Sequence, residues 1–345
     1  MTTQSTSSGS RPGSRENQLV DRFGRVVDYI RLSVTDRCNL RCVYCMPKQM
    51  KFVPRTELLT LEELENIARS FIRLGVNKIR VTGGEPLIRN NIMQLFNSLG
   101  EIAALTDLTL TTNGVQLKQY AQQLKFAGVT RINISLDTLK ADRFHSMTRV
   151  GELSTVQEGI TAAIACHFEQ IKLNTVVLKN HNDDEVLDLV NFCIERGIDI
   201  SFIEEMPMGE NTHHDRASAY CSSDELLAYL QQYFELTPMT MKTAGPTRYY
   251  RLSEHENTRI GFISPHSHNF CDSCNRVRLT AEGRLLLCLG QEHSVDLRHL
   301  VRTNPGDEAA LDRAITSSMA IKPKGHDFYS NSQSVLLRHM NLTGG

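Results

Sequence analysis

YIRLSVTDRCNLRCVYC, residues 29–45, joins two patterns that set the architecture of the chain. In its first half Ile30, Leu32 and Val34 alternate with Arg31, Ser33 and Thr35, the period of two that marks a β-strand with two different faces. Its second half places Cys38, Cys42 and Cys45 within eight positions and offers no fourth Cys or His close by.

Outward from this stretch, short β-branched segments alternate with helical patterns. The segments are YIRLSVTD, NKIRVTGG, DLTLTTNG, TRINISLD, IKLNTVVLK and IDISFIEEM. Six strand-helix units predict a parallel sheet, either open and doubly wound or curved into an incomplete barrel. Parallel strands covered on both faces read as nearly continuous apolar runs. Here Arg31, Ser33 and Thr35 are matched by Lys78, Arg80 and Thr82; by Thr109, Thr111 and Asn113; by Arg131, Asn133, Ser135 and Asp137; and by Lys172 and Asn174. One face of the sheet is expected to be wet, which favours an incomplete (β/α)6 TIM-like barrel with a polar ligand on its concave side. Solvated edge positions would explain one such charge, but five strands share the pattern. Arg31, Lys78, Arg80 and Lys172 aimed into one cavity ask for a strongly anionic partner, and a triphosphate suits guanidinium forks.

The helical patterns carry their own end signals. In LEELENIARSFIRLG, Leu61, Leu64, Ile67, Ala68, Phe71 and Ile72 form one stripe, Thr60 and Glu63 a capping box, and Gly75 the stop. NDDEVLDLVNFCIERG reads the same way, with Asn182 and Glu185 at its start and Gly197 beyond. Residues 1–17 lack aromatic and branched apolar groups and read as a disordered tail. The domain reading continues with a barrel over 18–215, a C-terminal domain over 216–330 and a tail over 331–345. Around 208–223 the composition turns polar and no element repeats. With 38 Lys+Arg against 39 Asp+Glu the formal charge is -1, so no global field draws the chain to nucleic acid or an anionic membrane. Nine Cys without a membrane-spanning run or a signal-peptide core point to a reducing cytoplasm and to metal or redox chemistry rather than disulfides.

Structural zinc wants four ligands, commonly in two pairs, which the spacing of Cys38, Cys42 and Cys45 fits poorly. Three thiolates on a four-iron cube leave one iron open for a ligand. A second set, Cys271, Cys274 and Cys288, stands in NFCDSCNRVRLTAEGRLLLCLG with Arg276 and Arg278 on one side of the strand that follows. Zinc remains open for this set on spacing alone, with His266 and His268 as nearby substitutes for a second Cys pair. Cys166, Cys193 and Cys221 read as structural or incidental, and His213 and His214 as solvated loop residues.

CxxxCxxC after the first strand, an aromatic before the last Cys and Gly83-Gly84-Glu85-Pro86 after the second strand resemble the radical S-adenosylmethionine (SAM) enzymes. The ordered set DRCNLRCVYC, KIRVTGGEPL, TTNG, SLDTL, FIEEMPMG, CNRVRLT and a terminal Gly-Gly resembles the MoaA family of molybdenum-cofactor biosynthesis, the GTP 3',8-cyclases, from about Arg22 onward. The resemblance implies a lyase with two [4Fe-4S] clusters, one on Cys38, Cys42 and Cys45 and one on Cys271, Cys274 and Cys288. It implies SAM contacts at Tyr44, Gly84, Ser135 and Met206. GTP would meet Arg31, Lys78, Arg80, Thr111, Lys172, Arg276, Val277 and Arg278, and Gly344 and Gly345 would join Arg276 and Arg278 as catalytic residues. The implied reaction is hydrogen abstraction from ribose C3' by a 5'-deoxyadenosyl radical and attack of the carbon radical on guanine C8. A low-potential flavodoxin- or ferredoxin-like donor, a homodimer and transfer of product to cyclic pyranopterin monophosphate synthase are implied as well. Family members usually carry Arg where Ser201 stands, so a cationic contact is missing. Two other classes remain: a zinc-stabilised nucleotide- or RNA-binding module, and a radical SAM enzyme that modifies RNA or peptide.

Overall fold

The computed structural model describes residues 18–209, 215–240, 245–326, 328, 336 and 338–344. The expected disordered tail at 1–17, His213, His214 and Gly345 lie outside them.

Six strands, β1 (Tyr29–Ser33), β2 (Lys78–Thr82), β3 (Asp107–Thr112), β4 (Arg131–Ser135), β5 (Gln170–Val176) and β6 (Asp199–Ile203), lie side by side in chain order, all parallel. An order without reversal excludes the doubly wound alternative, whose sheet turns back at a switch point. The ring does not close on itself. β1 pairs instead with β10 (Arg276–Leu279), followed by β11 (Arg284–Leu286) and β12 (Ser294–Asp296). β6 pairs with β9 (Arg259–Ile263), then β8 (Arg248–Leu252) and β7 (Leu236–Pro238). The C-terminal region thus extends both open edges of a partial barrel.

Helices α1 (Leu61–Arg73), α2 (Ile92–Gly100), α3 (Leu117–Phe126), α4 (Ala141–Thr148), α5 (Leu153–Ala165) and α6 (Val186–Arg196) form the crossovers. Their stripes pack with Ile30, Leu32, Ile79, Val81, Leu110, Ile132, Ile134, Leu173 and Phe202 in one continuous core. The alternate strand residues face inward, and the wet face is drier than expected: Lys78, Arg80, Thr109, Thr111 and Lys172 are buried. A concave sheet brings its own side chains within reach of one another, and they satisfy each other before water does.

The capping box at α1 is present, Thr60 Oγ1 accepting from Glu63 N at 3.1 Å and Glu63 Oε2 from Thr60 N at 2.8 Å. The second expected box is not. Residues Asp183–Glu185 form a 3-10 turn ahead of α6, and the Asn182 side chain accepts from Leu178 N while donating to the Asp137 and Val176 carbonyls. Glu185 accepts from Thr138 Oγ1 and Leu139 N. Buried donors after β4 and β5 outbid the helix end for these side chains, because an orphaned buried N–H costs more than a frayed first turn. In the polar stretch, where no element was expected to repeat, the described residues form one short helix, α7 (Arg216–Ala219), started by Asp215. Helices α8 (Ser223–Leu230), α9 (Leu297–Thr303), α10 (Glu308–Ser318) and α11 (Met340–Thr343) complete the described elements. No helix among them is long and apolar enough to cross a membrane.

Candidate active site

The carboxyl ends of the six strands surround a cavity of about 1030 Å³, counted out to its open side. Cys38, Cys42 and Cys45 line it with Tyr44, Gly84, Thr111, Asn113, Ser135 and Met206. This is the end of a parallel barrel where functional groups collect. Two backbones meet there: Gly84 N donates to Thr35 O at 2.7 Å and Glu85 N to Arg37 O at 2.8 Å, seating the loop of the thiols on the Gly-Gly turn. A Cβ on Gly83 would lie 2.6 Å from Thr35 O, and one on Gly84 would collide with Arg37 O. Only glycine allows that approach. The buried Glu85 carboxylate accepts from Leu87 N, Thr112 Oγ1 and Asn113 N, and burial raises its pKa to about 7 against those bonds. Asn113 then reaches the Asn39 side chain at 2.8 Å and Cys38 Sγ at 3.6 Å. Tyr44 donates to Asp137 Oδ2 at 2.7 Å, which fixes the aromatic between the last two thiols. Burial pushes the Cys38 thiol up to about 11 and that of Cys45 to about 12, so an electropositive partner is needed for both to ionise.

A second cavity of about 1260 Å³ is lined by residues from the amino-terminal halves of the strands, among them Tyr29, Arg31, Lys78 and Arg80. Strand register builds it from rows of side chains: Arg276 beside Tyr29 beside Lys78, then Arg278 beside Arg31 beside Arg80. Three guanidinium groups on adjacent strands, roughly 4.8 Å apart by sheet spacing, repel one another. Burial, then the neighbouring Arg80 and Arg276 against the pull of Tyr29, lowers Arg31 to about 10. Burial and the charges of Arg31 and Arg276 hold Arg278 well below its ordinary value. Tyr29 sits among them and accepts from Arg80 Nε at 2.9 Å. Burial alone would raise its phenol; Arg80, Arg31, Lys78 and Arg276 together bring it down to about 7. Two other cations are already engaged, Lys78 with Asp107 at 2.8 Å and Lys172 with Tyr249 Oη at 3.1 Å. Thr111 belongs to the first cavity and approaches Arg80 Nη1 at 3.4 Å across the boundary.

Cys271, Cys274, Cys288 and Val277 also line the second cavity. Despite burial, Arg276 and Lys322 bring the Cys274 thiol down to about 7. His266 and His268, the zinc substitutes, lie elsewhere: His266 Nε2 meets Glu205 O at 2.9 Å and His268 pairs with Asp224. No group of three or more His, Cys, Asp or Glu among the described residues forms a site for a single metal ion. Each set of thiols lines its own cavity.

The cavities share Asn174, Ile203, Met206 and Met340 as common wall. Met340 comes from the chain's last helix. Asn341 anchors it by donating to Asp36 O at 2.8 Å, and Arg278 Nη1 donates to Gly344 O at 2.7 Å. Gly344 has φ 75°, and a Cβ there would collide with Thr82. Ser201 is fully buried between Asn174 on β5 and Gly261 on β9. Ser201 Oγ and Asn174 Oδ1 are buried without a hydrogen-bond partner, which marks polar space beside the shared wall.

Comparison with known proteins agrees with this geometry. Residues 32–193 match the Radical SAM superfamily and residues 198–328 match Molybdenum Cofactor Synthesis C. A GTP 3',8-cyclase of Pseudomonas putida is 55% identical over 327 residues, 95% of this chain and 98% of that one. Another, from Saccharophagus degradans, is 55% identical over 331 residues, 96% of this chain and 100% of that one. The chain belongs to the GTP 3',8-cyclase family. Among solved structures, Streptococcus suis SuiB bound to its precursor peptide SuiA has a TM-score of 0.63 at 17% identity, covering 93% of this chain and 77% of that one, a likeness of fold. As a radical SAM enzyme, this member of the cyclase family uses a [4Fe-4S] cluster and SAM. Three thiols without a fourth, around a cavity with unpartnered polar atoms in its wall, fit that pair.

Sequence reasoning missed Tyr29, whose alternation with Arg31 was a usable signal, and Asn174 as the shared wall. It also missed Met340 and Lys322. No local pattern marks those two, since the chain returns to the site only in three dimensions.

Proposed function

We propose that this cyclase-family chain converts GTP to (8S)-3',8-cyclo-7,8-dihydroguanosine 5'-triphosphate with the two cavities as its two half-sites. The observation that supports this best is their common wall at Asn174, Met206 and Met340, where ligands in the two cavities meet. Cys38, Cys42 and Cys45 hold the first cluster, and Tyr44, Gly84, Ser135 and Met206 flank SAM. When bound, the cluster and SAM supply the radical that takes hydrogen from ribose C3'. The row of Arg278, Arg31 and Arg80, with Arg276 beside it, receives the triphosphate, whose charge relieves their mutual repulsion. Lys172 and Val277 complete the GTP wall, and Thr111 acts on it from the first cavity through Arg80. Lys78, already paired with Asp107, shapes that wall more than it binds phosphate. Cys271, Cys274 and Cys288 hold a second [4Fe-4S] cluster that anchors the guanine end. Holding the substrate at both ends brings C3' and C8 together, a positioning contribution. Gly344, and Gly345 beyond the described residues, serve turnover by keeping water from the radical.

Arg276 and Arg278 argue for a triphosphate substrate over RNA or peptide. The reading also keeps the chain cytoplasmic and dimeric, reduced by a flavodoxin- or ferredoxin-like donor and delivering product to cyclic pyranopterin monophosphate synthase. Anaerobic incubation with GTP, SAM and dithionite, followed by mass analysis of the nucleotide, tests it. Unchanged GTP alongside cleaved SAM would refute the substrate. About eight irons per chain are expected, whereas zinc in their place would restore the binding-module alternative.

A further inference from the structure

Lys322 belongs to no motif and is among the most deeply buried large side chains, with 1% of its surface exposed. Its Nζ donates to Leu287 O at 2.7 Å and to Arg276 O at 3.0 Å, and lies 3.6 Å from Cys274 Sγ. Leu287 immediately precedes Cys288, and Arg276 stands two residues after Cys274. One ammonium therefore gathers both segments that carry these thiols. A lysine this buried ordinarily has an anion beside it. Among the described residues its hydrogen-bond partners are two carbonyls and a sulfur, so a negative charge on that sulfur would compensate it.

The segment around Lys322 is itself strapped over the thiols. Arg25 Nη1 donates to Cys271 O at 2.6 Å and to Lys324 O at 2.7 Å, and its Nη2 donates to Pro323 O at 2.6 Å. Gly325 packs so closely that a Cβ there would lie 3.3 Å from Cys271 Sγ. A strap with a fixed cation against one sulfur is a device for setting charge as well as shape.

We propose that Lys322 is a positioning residue for the second iron-sulfur site, its buried ammonium balancing the Cys274 thiolate and making the cluster held there easier to reduce. This rests on the two-cluster reading above. Reduction adds one negative charge to a cluster, and net charge and hydrogen bonds at the sulfurs set its potential. A cation at the sulfur stabilises the reduced form more than the oxidised one, so removing it must make the potential more negative.

The test uses the full chain with Cys38, Cys42 and Cys45 all changed to Ala, reconstituted anaerobically with iron and sulfide, so that any cluster signal comes from the second site. Dithionite titration followed by electron paramagnetic resonance gives its potential with Lys322, with Lys322→Met, and with Lys322→Gln, which keeps an N–H donor for the carbonyls but no charge. Both neutral variants are expected to bind iron and to be at least tenfold harder to reduce, about 59 mV for one electron. A potential unchanged in both, or a shift in Met but not in Gln, overturns the role of the charge while leaving the second cluster standing. Absence of iron from the protein that retains Lys322 overturns the two-cluster reading and this inference with it. Should Lys322→Met fail to fold, the Gln variant decides alone.

Discussion

Arg278 Nη1 donates to the carbonyl oxygen of Gly344 at 2.7 Å, so a guanidinium that lines the second cavity from β10 holds the last described residue against Thr82, which lines the first. The bond couples tail placement to the cationic row. Deleting the last two residues should leave GTP and SAM binding within about twofold of the intact chain and abolish cyclisation. Gly344→Ala should act in the same direction, because φ is positive there and Thr82 blocks a Cβ. Full turnover by the truncated chain, measured as cyclised nucleotide per minute, would contradict this.

Removing charge from the row should separate binding from closure. Charge-assisted hydrogen bonds contribute about 1.5 to 3 kcal/mol each, so Arg276→Ala should weaken GTP binding by roughly tenfold or more in calorimetry. Arg278→Ala should weaken it and also release the tail, lowering turnover beyond the loss of affinity. Equal effects of the two variants on turnover at saturating GTP would argue against the coupling.

Tyr29 gives a pH signature. Its phenol is lowered from 10.0 to about 7 against burial by Arg80, Arg31, Lys78 and Arg276. An acid whose folded pKa is depressed contributes stability that is full above the unfolded value and fades as pH falls through the folded one. The stability advantage of the wild type over Tyr29→Phe should therefore grow from pH 7 to pH 10 and be small below 7, read by denaturant unfolding of the nucleotide-free protein. Phenolate absorbance should show one tyrosine titrating near 7 that Tyr29→Phe lacks. GTP should move it upward, since phosphate competes for the same cations; a titration indifferent to GTP would place the triphosphate elsewhere.

The loop of the first thiols depends on Gly84 as much as on sulfur. Gly84→Ala should cost most of the iron bound at the first set, because the Cβ drives the turn away from Arg37 O. Cys42→Ser should abolish formation of 5'-deoxyadenosine. Iron analysis and chromatography of the cleavage product check the two, and retained cleavage in Cys42→Ser would falsify the assignment.

How much of this was legible in advance follows the range of each interaction. The barrel strands, the stripe of α1 and its capping box are local, and they stand in the structure as their spacing implies. The box expected at Asn182 and Glu185 failed because Leu178 N in the same loop claimed the Asn182 side chain and Leu139 N on the loop after β4 claimed Glu185. Arg31, Arg80, Arg276 and Arg278 were readable as cations, yet their strength as a row depends on β10 pairing beside β1 across some 245 residues of chain, from Arg31↔Arg278 in the register.

The sequence by itself determined which chemistry was possible: two sets of three thiols, an alternating cationic strand face and glycines where backbones must touch. Period, spacing and residue type carry that information, and none needs a distant partner. Only the tertiary structure decided which cations a carboxylate neutralises, as Asp107 does Lys78, and which stand together in a row. It also brought the end of the chain, Lys322 and the second thiol set to one barrel, since contacts between residues hundreds of positions apart leave no periodic trace along the chain.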